Sequence, residues 1–210
     1  MAEPIKLYES LFILYKCNLN ISNLLKLIVD KIHQENANEE EAMLLAQYLQ
    51  MESVSFLVEF KENLYQYSEN DFKQRVGDIQ KITKPIVNRI NKWKDLNKYR
   101  NNIIAHPWRD SGKFVVPDSQ KYSVPSSWLE ITVLGHYIKY IWAMIRAEFN
   151  NEIIGSLNYI SKTYPNNDPV KVDFSNLNKD QVNMAIEVDS IRKELGRNYY
   201  LKVMQFEFSE

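Results

Sequence analysis

The residues best suited to chemistry lie in one segment, Lys98-Tyr99-Arg100-Asn101-Asn102-Ile103-Ile104-Ala105-His106-Pro107-Trp108. An arginine grips a phosphate or carboxylate through parallel N–H donors and keeps its charge at any physiological pH. A histidine takes up and releases a proton near neutrality, so it serves as general acid or general base. Arg100 and His106 therefore combine an anion clamp with a proton carrier. Asn101 adds a neutral side chain able to orient either of them. Trp108 and Arg109, just beyond, are the candidates for substrate contact.

These residues need a scaffold, and apolar spacing supplies one. Tyr8, Leu11, Phe12 and Tyr15, then Leu25, Ile28 and Ile32, recur at three and four residues and predict a helix over 5–33. Asn38 before three glutamates reads as an N-cap for a second helix running to about Tyr67. A third helical region is expected over 71–106, with a joint near Gly77 or Pro85 and a stripe of Ile79, Ile82, Ile86, Ile90, Trp93 and Leu96. Pro107, Gly112, Pro117 and Pro125 make 107–126 an irregular loop. Ser126 or Ser127 caps a fourth helix to about Lys162, and a fifth is expected over 178–203. The fold class read from this is all-α: a single domain, 1–210, of four or five antiparallel helices with a long loop after the third region.

On a straight third helix, Arg100 continues the apolar stripe. A guanidinium there is costly unless paired, so the structural alternative is an ion pair with Glu52 or Glu59. His106 lies about −120° round the helix and roughly 9 Å along it from Arg100. The two do not project in one direction. Pro107 pushes His106 out of helical dihedrals and frees the imidazole to swing, and a helix C-terminus favours its protonated form.

An arginine, a polar residue, and a histidine four to six positions on, at the end of a long helix and before a loop, resembles the HEPN signature. The matched positions are Arg100, Asn101 and His106, and the helical layout extends the resemblance over most of the chain. HEPN proteins are helical bundles of toxin–antitoxin and phage-defence settings, many of them metal-independent ribonucleases. The resemblance implies an RNA substrate, a homodimer with a site shared between chains, and an antitoxin partner such as a minimal nucleotidyltransferase. It implies His106 as acid or base, Arg100 as phosphate clamp, and products ending in a 2′,3′-cyclic phosphate and a 5′-hydroxyl. No cofactor and no metal are expected. The competing readings are an inactive HEPN-like module that binds RNA, nucleotide or a protein, and a purely structural helical dimer.

Composition bounds the rest. Hydrophobic residues make up 45% and charged residues 25%, and a net charge of −1 argues against an extended nucleic-acid coat. Lys and Arg nonetheless crowd the stretch from Lys73 to Arg100, against Asp78 and Asp95 alone. A solvated face is the default use of such a run, phosphate contact the other. Cys17 is the single cysteine, so no disulfide forms within the chain, and a reducing cytoplasm is the expected compartment. The apolar stretch Ile131–Ile145 carries His136 and Lys139 and is short for a bilayer, so no membrane is expected. His33 and His136 read as surface or flank residues, and three scattered histidines give no zinc-like spacing. Trp93, Tyr99 and Trp108 flank the motif; their faces suit unpaired bases, although core packing and dimer contact are the usual uses.

Overall fold

The stripe Leu7, Leu11, Leu14, Cys17, Ile21, Leu25 and Ile28 repeats at three and four residues along helix α1, Ile5–Ile32, and every member is buried. A computed structural model places this helix against α2 (Glu39–Val58), α5 (Trp128–Glu148) and α6 (Asn150–Thr163). The structure describes residues 4–32, 39–67, 72–101, 109–110, 113–114 and 122–164, and positions 179, 182, 183, 186 and 190. By length and hydropathy α1 passes as a helix able to cross a membrane, yet its stripe is the centre of the core.

The protein is all-α, with two strands of two residues each among the described residues. The chain divides into two units, Met1–Pro165 and Asn166–Glu210. In the second, Lys179, Val182, Asn183, Ile186 and Ser190 are helical, within the stretch where the fifth helix is expected. All other elements belong to the first unit.

Helix α2 runs on as a π-helix over Glu59–Leu64, which ends with the Tyr65 N–H on the Phe60 carbonyl. The wider turn sets the Tyr65 ring 4.3 Å from that of Phe60 and its hydroxyl 2.8 Å from buried Thr83 of α3 (Phe72–Ile90). Gly135 on α5 explains one close approach: a Cβ there would meet Leu25 and Leu49 side chains at 3.1–3.2 Å.

The joints fall elsewhere than expected. Helix α3 passes through both Gly77 and Pro85, and both Pro85 and Lys81, whose carbonyl loses its i+4 donor to the proline, are exposed. The break comes at 91–95, after which a single turn, α4, spans Leu96–Tyr99. A tertiary clip holds that break. Asp95 accepts the Ser123 N–H at 2.8 Å and donates its own N–H to the Ser123 carbonyl at 3.2 Å, while the Ser123 hydroxyl bonds the Lys92 carbonyl at 3.0 Å. The expected fourth helix is likewise divided at buried Phe149, where φ −115° and ψ 29° part α5 from α6. Its start is as read: Ser127 and Glu130 form a reciprocal capping box.

Within the long connection, β1 (Arg109–Asp110) pairs antiparallel with β2 (Lys113–Phe114), Arg109 opposite Phe114. This part of the loop expected to be irregular is a short ladder.

Candidate functional site

Arg100 and Asn101 sit where the backbone leaves α4. The Arg100 N–H bonds back to the carbonyls of Leu96 and Asn97, so its own backbone is still helical. Because the chain turns at 91–95, Arg100 does not prolong the α3 stripe, which corrects the straight-helix expectation. It is half-buried all the same.

Among the described residues, its guanidinium has one hydrogen-bond partner. Nη1 donates to Asn101 Oδ1 at 2.8 Å, and Asn101 Nδ2 approaches Asn97 Oδ1 at 3.4 Å. Arg100 Nε is buried and has no hydrogen-bond partner among the described residues. Leaving such a donor unmet costs about 1–3 kcal/mol. The structural alternative fails here: no ion pair joins Arg100 to any described carboxylate. Glu59 instead accepts from Asn63 Nδ2 at 2.8 Å. Glu52 faces Cys17, whose thiol is pushed up to about 12, first by burial and then by the Glu52 charge.

The stem of the loop is fixed beside this pair. Tyr99 meets Tyr122 edge-on with ring centroids 5.3 Å apart, and Lys98 Nζ lies 5.8 Å from the Tyr122 ring centre. Burial, and then the neighbouring Tyr122, raise the Tyr99 phenol above its usual range. With the Asp95–Ser123 clip, these contacts hold residues 95–99 against 122–123, and the 20 residues 102–121 lie between Asn101 and Tyr122 in the chain. That insert carries His106, Trp108 and Arg109. His106 and Trp108 lie outside the described residues, and of Arg109 the structure describes the backbone, in β1. Arg100 and Asn101 are joined by the Nη1–Oδ1 hydrogen bond.

Of the remaining histidines, His33 lies outside the described residues, and exposed His136 shares its Nδ1 with the Thr132 carbonyl of its own helix at 2.8 Å. No group of three or more acidic, histidine or cysteine side chains suited to a metal occurs among the described residues. Spacing alone gave no sign of a pocket of about 360 Å³ at the α3–α4 joint, lined by Lys61, Trp93, Lys94 and Asn97 among others. Its walls come from two segments, 54–62 and 90–97, that are distant in sequence. Local periodicity does not report such a pairing.

Comparison with protein-family models, curated proteins and solved structures finds no match to this chain.

Proposed function

We propose that this chain is a metal-independent endoribonuclease of the HEPN type, acting as a toxin or phage-defence effector. The observation that carries the reading is Arg100: a half-buried guanidinium with an unmet Nε and no described carboxylate partner, beside the stem of the loop that contains His106. A cation kept partly from water and left unpaired is stabilised by a bound anion, and a phosphodiester presents oxygens that match the guanidinium fork.

In the proposed mechanism Arg100 holds the scissile phosphate and offsets the charge that builds on the phosphorane. His106 takes the proton of the 2′-hydroxyl as that oxygen attacks phosphorus, or gives a proton to the departing 5′-oxygen. With one histidine per chain at this position, a second copy related by a two-fold axis supplies the other role. The products carry a 2′,3′-cyclic phosphate and a 5′-hydroxyl. Asn101, bonded to Arg100, sets the direction of the fork. Trp108 and Arg109 contact the strand from the loop. The protein works as a homodimer in the cytoplasm, held in check by an antitoxin such as a minimal nucleotidyltransferase.

The test is cleavage of single-stranded RNA by purified protein in excess chelator, with product ends identified. The reading expects cyclic-phosphate ends, lost in Arg100→Ala and in His106→Ala, and growth arrest on expression that either substitution relieves. Cleavage that demands an added divalent metal overturns the mechanism, and a strict monomer in solution overturns the shared site.

A further inference from the structure

The pocket at the α3–α4 joint uses residues that the proposed cleavage does not. Its floor is apolar: Val54 and Leu57 from α2, Ile90 from the end of α3 and Leu96 from α4, all buried. Half-buried Trp93, on the turn between the two helices, also lines it. Lys94 and Asn97 bring a cation and an amide. A volume of about 360 Å³ falls within the range of small-ligand sites, roughly 300–1,000 Å³.

Two further groups mark the pocket as polar in purpose. Lys61 lies in its wall, bonded through Nζ to Asn91 Oδ1 at 2.9 Å, and burial lowers the ammonium pKa from its usual value. No described carboxylate pairs with it. Glu62, exposed on the same pocket, adds an acceptor suited to an exocyclic amino group. An indole, amide groups, an acceptor and two cations make the set that recognises an unpaired base with its phosphate: the ring stacks, the edge is hydrogen-bonded, the anion is neutralised. A partner helix would instead ask for apolar anchors over successive turns.

We infer that this pocket is a nucleotide subsite that takes one unpaired base of a single-stranded RNA. The choice of RNA rests on the reading given above; the pocket itself does not. Asn97 lines the pocket and Arg100 closes the same helical turn, three residues on and about 5 Å further along the axis. A strand seated by its base on Trp93 is thereby held next to the phosphate clamp. The amino acceptor Glu62 favours adenine or cytosine over uracil.

The test measures binding apart from cutting. Fluorescein-labelled hexaadenylate is titrated by anisotropy against the full chain carrying Arg100→Ala, at one fixed salt concentration. Adding Trp93→Leu to that background is expected to weaken binding about 5- to 150-fold, the usual loss of one stacked base, while duplex RNA binds as before. Lys94→Ala and Asn97→Ala, which leave the floor intact, are expected to weaken it several-fold with no change in melting temperature. Adenosine monophosphate competes, and competes worse in the Trp93 variant. Unchanged affinity in all three variants overturns the subsite, as does an equal loss on duplex. The two readings fail separately: Trp93-dependent binding in a wild-type protein that never cuts RNA sinks the nuclease alone, and cutting with no dependence on Trp93, Lys94 or Asn97 sinks the subsite alone.

Discussion

Two arginines of this bundle are used in opposite ways. Arg75 on α3 clasps the kink between α5 and α6. Its Nε donates to Glu148 Oε1 at 2.8 Å, Nη1 to Glu152 Oε1 at 2.6 Å, and Nη2 to Glu152 Oε2 at 3.1 Å and to the Glu148 carbonyl. The guanidinium also lies over the Phe149 ring at 4.4 Å and the Phe72 ring at 5.7 Å. Every nitrogen is occupied and both neighbouring charges are met. Arg100, at the end of α4, bonds Asn101 and keeps a buried Nε without a described partner. A structural arginine is saturated by its own chain. Under the proposed function, the guanidinium that the described residues leave unsaturated is the one that takes the phosphate.

The comparison breaks first, and most visibly, at Arg100. Arg100→Ala is expected to lower RNA cleavage about 100-fold or more, the usual loss for a group that stabilises transition-state charge, while the melting temperature stays put. Arg100→Lys is expected to recover little, since an ammonium lacks the planar fork. Assaying both variants beside their melting curves checks the pair of claims.

Arg75→Ala is expected to do the reverse. It strands Glu152 and the α5 carbonyl end, for a loss of about 2 kcal/mol once solvent screening of the partly exposed pairs is allowed for. In a chain of this size that is a drop in melting temperature of roughly 4–8 °C, with cleavage by the remaining folded protein unaltered.

Acid sharpens the same contrast. Burial on its own would raise the Glu152 carboxyl, but hydrogen bonds from Arg75 and its charge outweigh burial and leave the pKa below the usual range. A depressed carboxylate stabilises the fold above the unfolded value, about 4.3, and the contribution is lost as pH falls through the lower folded value. The gap in urea midpoint between wild type and Arg75→Ala is therefore expected to be widest near neutrality and to shrink below about pH 4.

The smallest effect belongs to the α5 cap. The Ser126 and Ser127 backbone N–H groups hold the Glu130 carboxyl below its ordinary value. Ser127→Ala is expected to cost about 1 kcal/mol of stability, read by chemical denaturation, with no change at Arg100.

How much of this was legible in the sequence follows from what each feature depends on. The α1 helix and the serine cap of α5 are set by neighbours within a turn or two; of the stripe read for α1, Leu11, Leu25 and Ile28 are buried, while Tyr8, Phe12 and Tyr15 flank a core line through Leu7, Leu14 and Ile21. The break at 91–95 depends on Ser123, 28 residues downstream, through a clip with no local signature. Composition favours Gly77 and Pro85 as joints, yet α3 runs through both, Gly77 half-buried and Pro85 exposed. The Phe149 kink is fixed by Arg75 from another helix. In the candidate site, Arg100 and Asn101 are proposed on residue type and spacing. That Arg100 has neither Glu52 nor Glu59 as its partner came only with the coordinates.

The most direct measurement of the central claim watches both arginines at once, by the Nε–Hε nitrogen–proton signals of the full chain, assigned with Arg75→Lys and Arg100→Lys. Single-stranded RNA blocked at its 2′-hydroxyls is added until binding saturates. A vacant clamp predicts a large downfield movement of the Arg100 signal and a still Arg75 signal. An Arg100 signal that stays in place while RNA is bound contradicts the account.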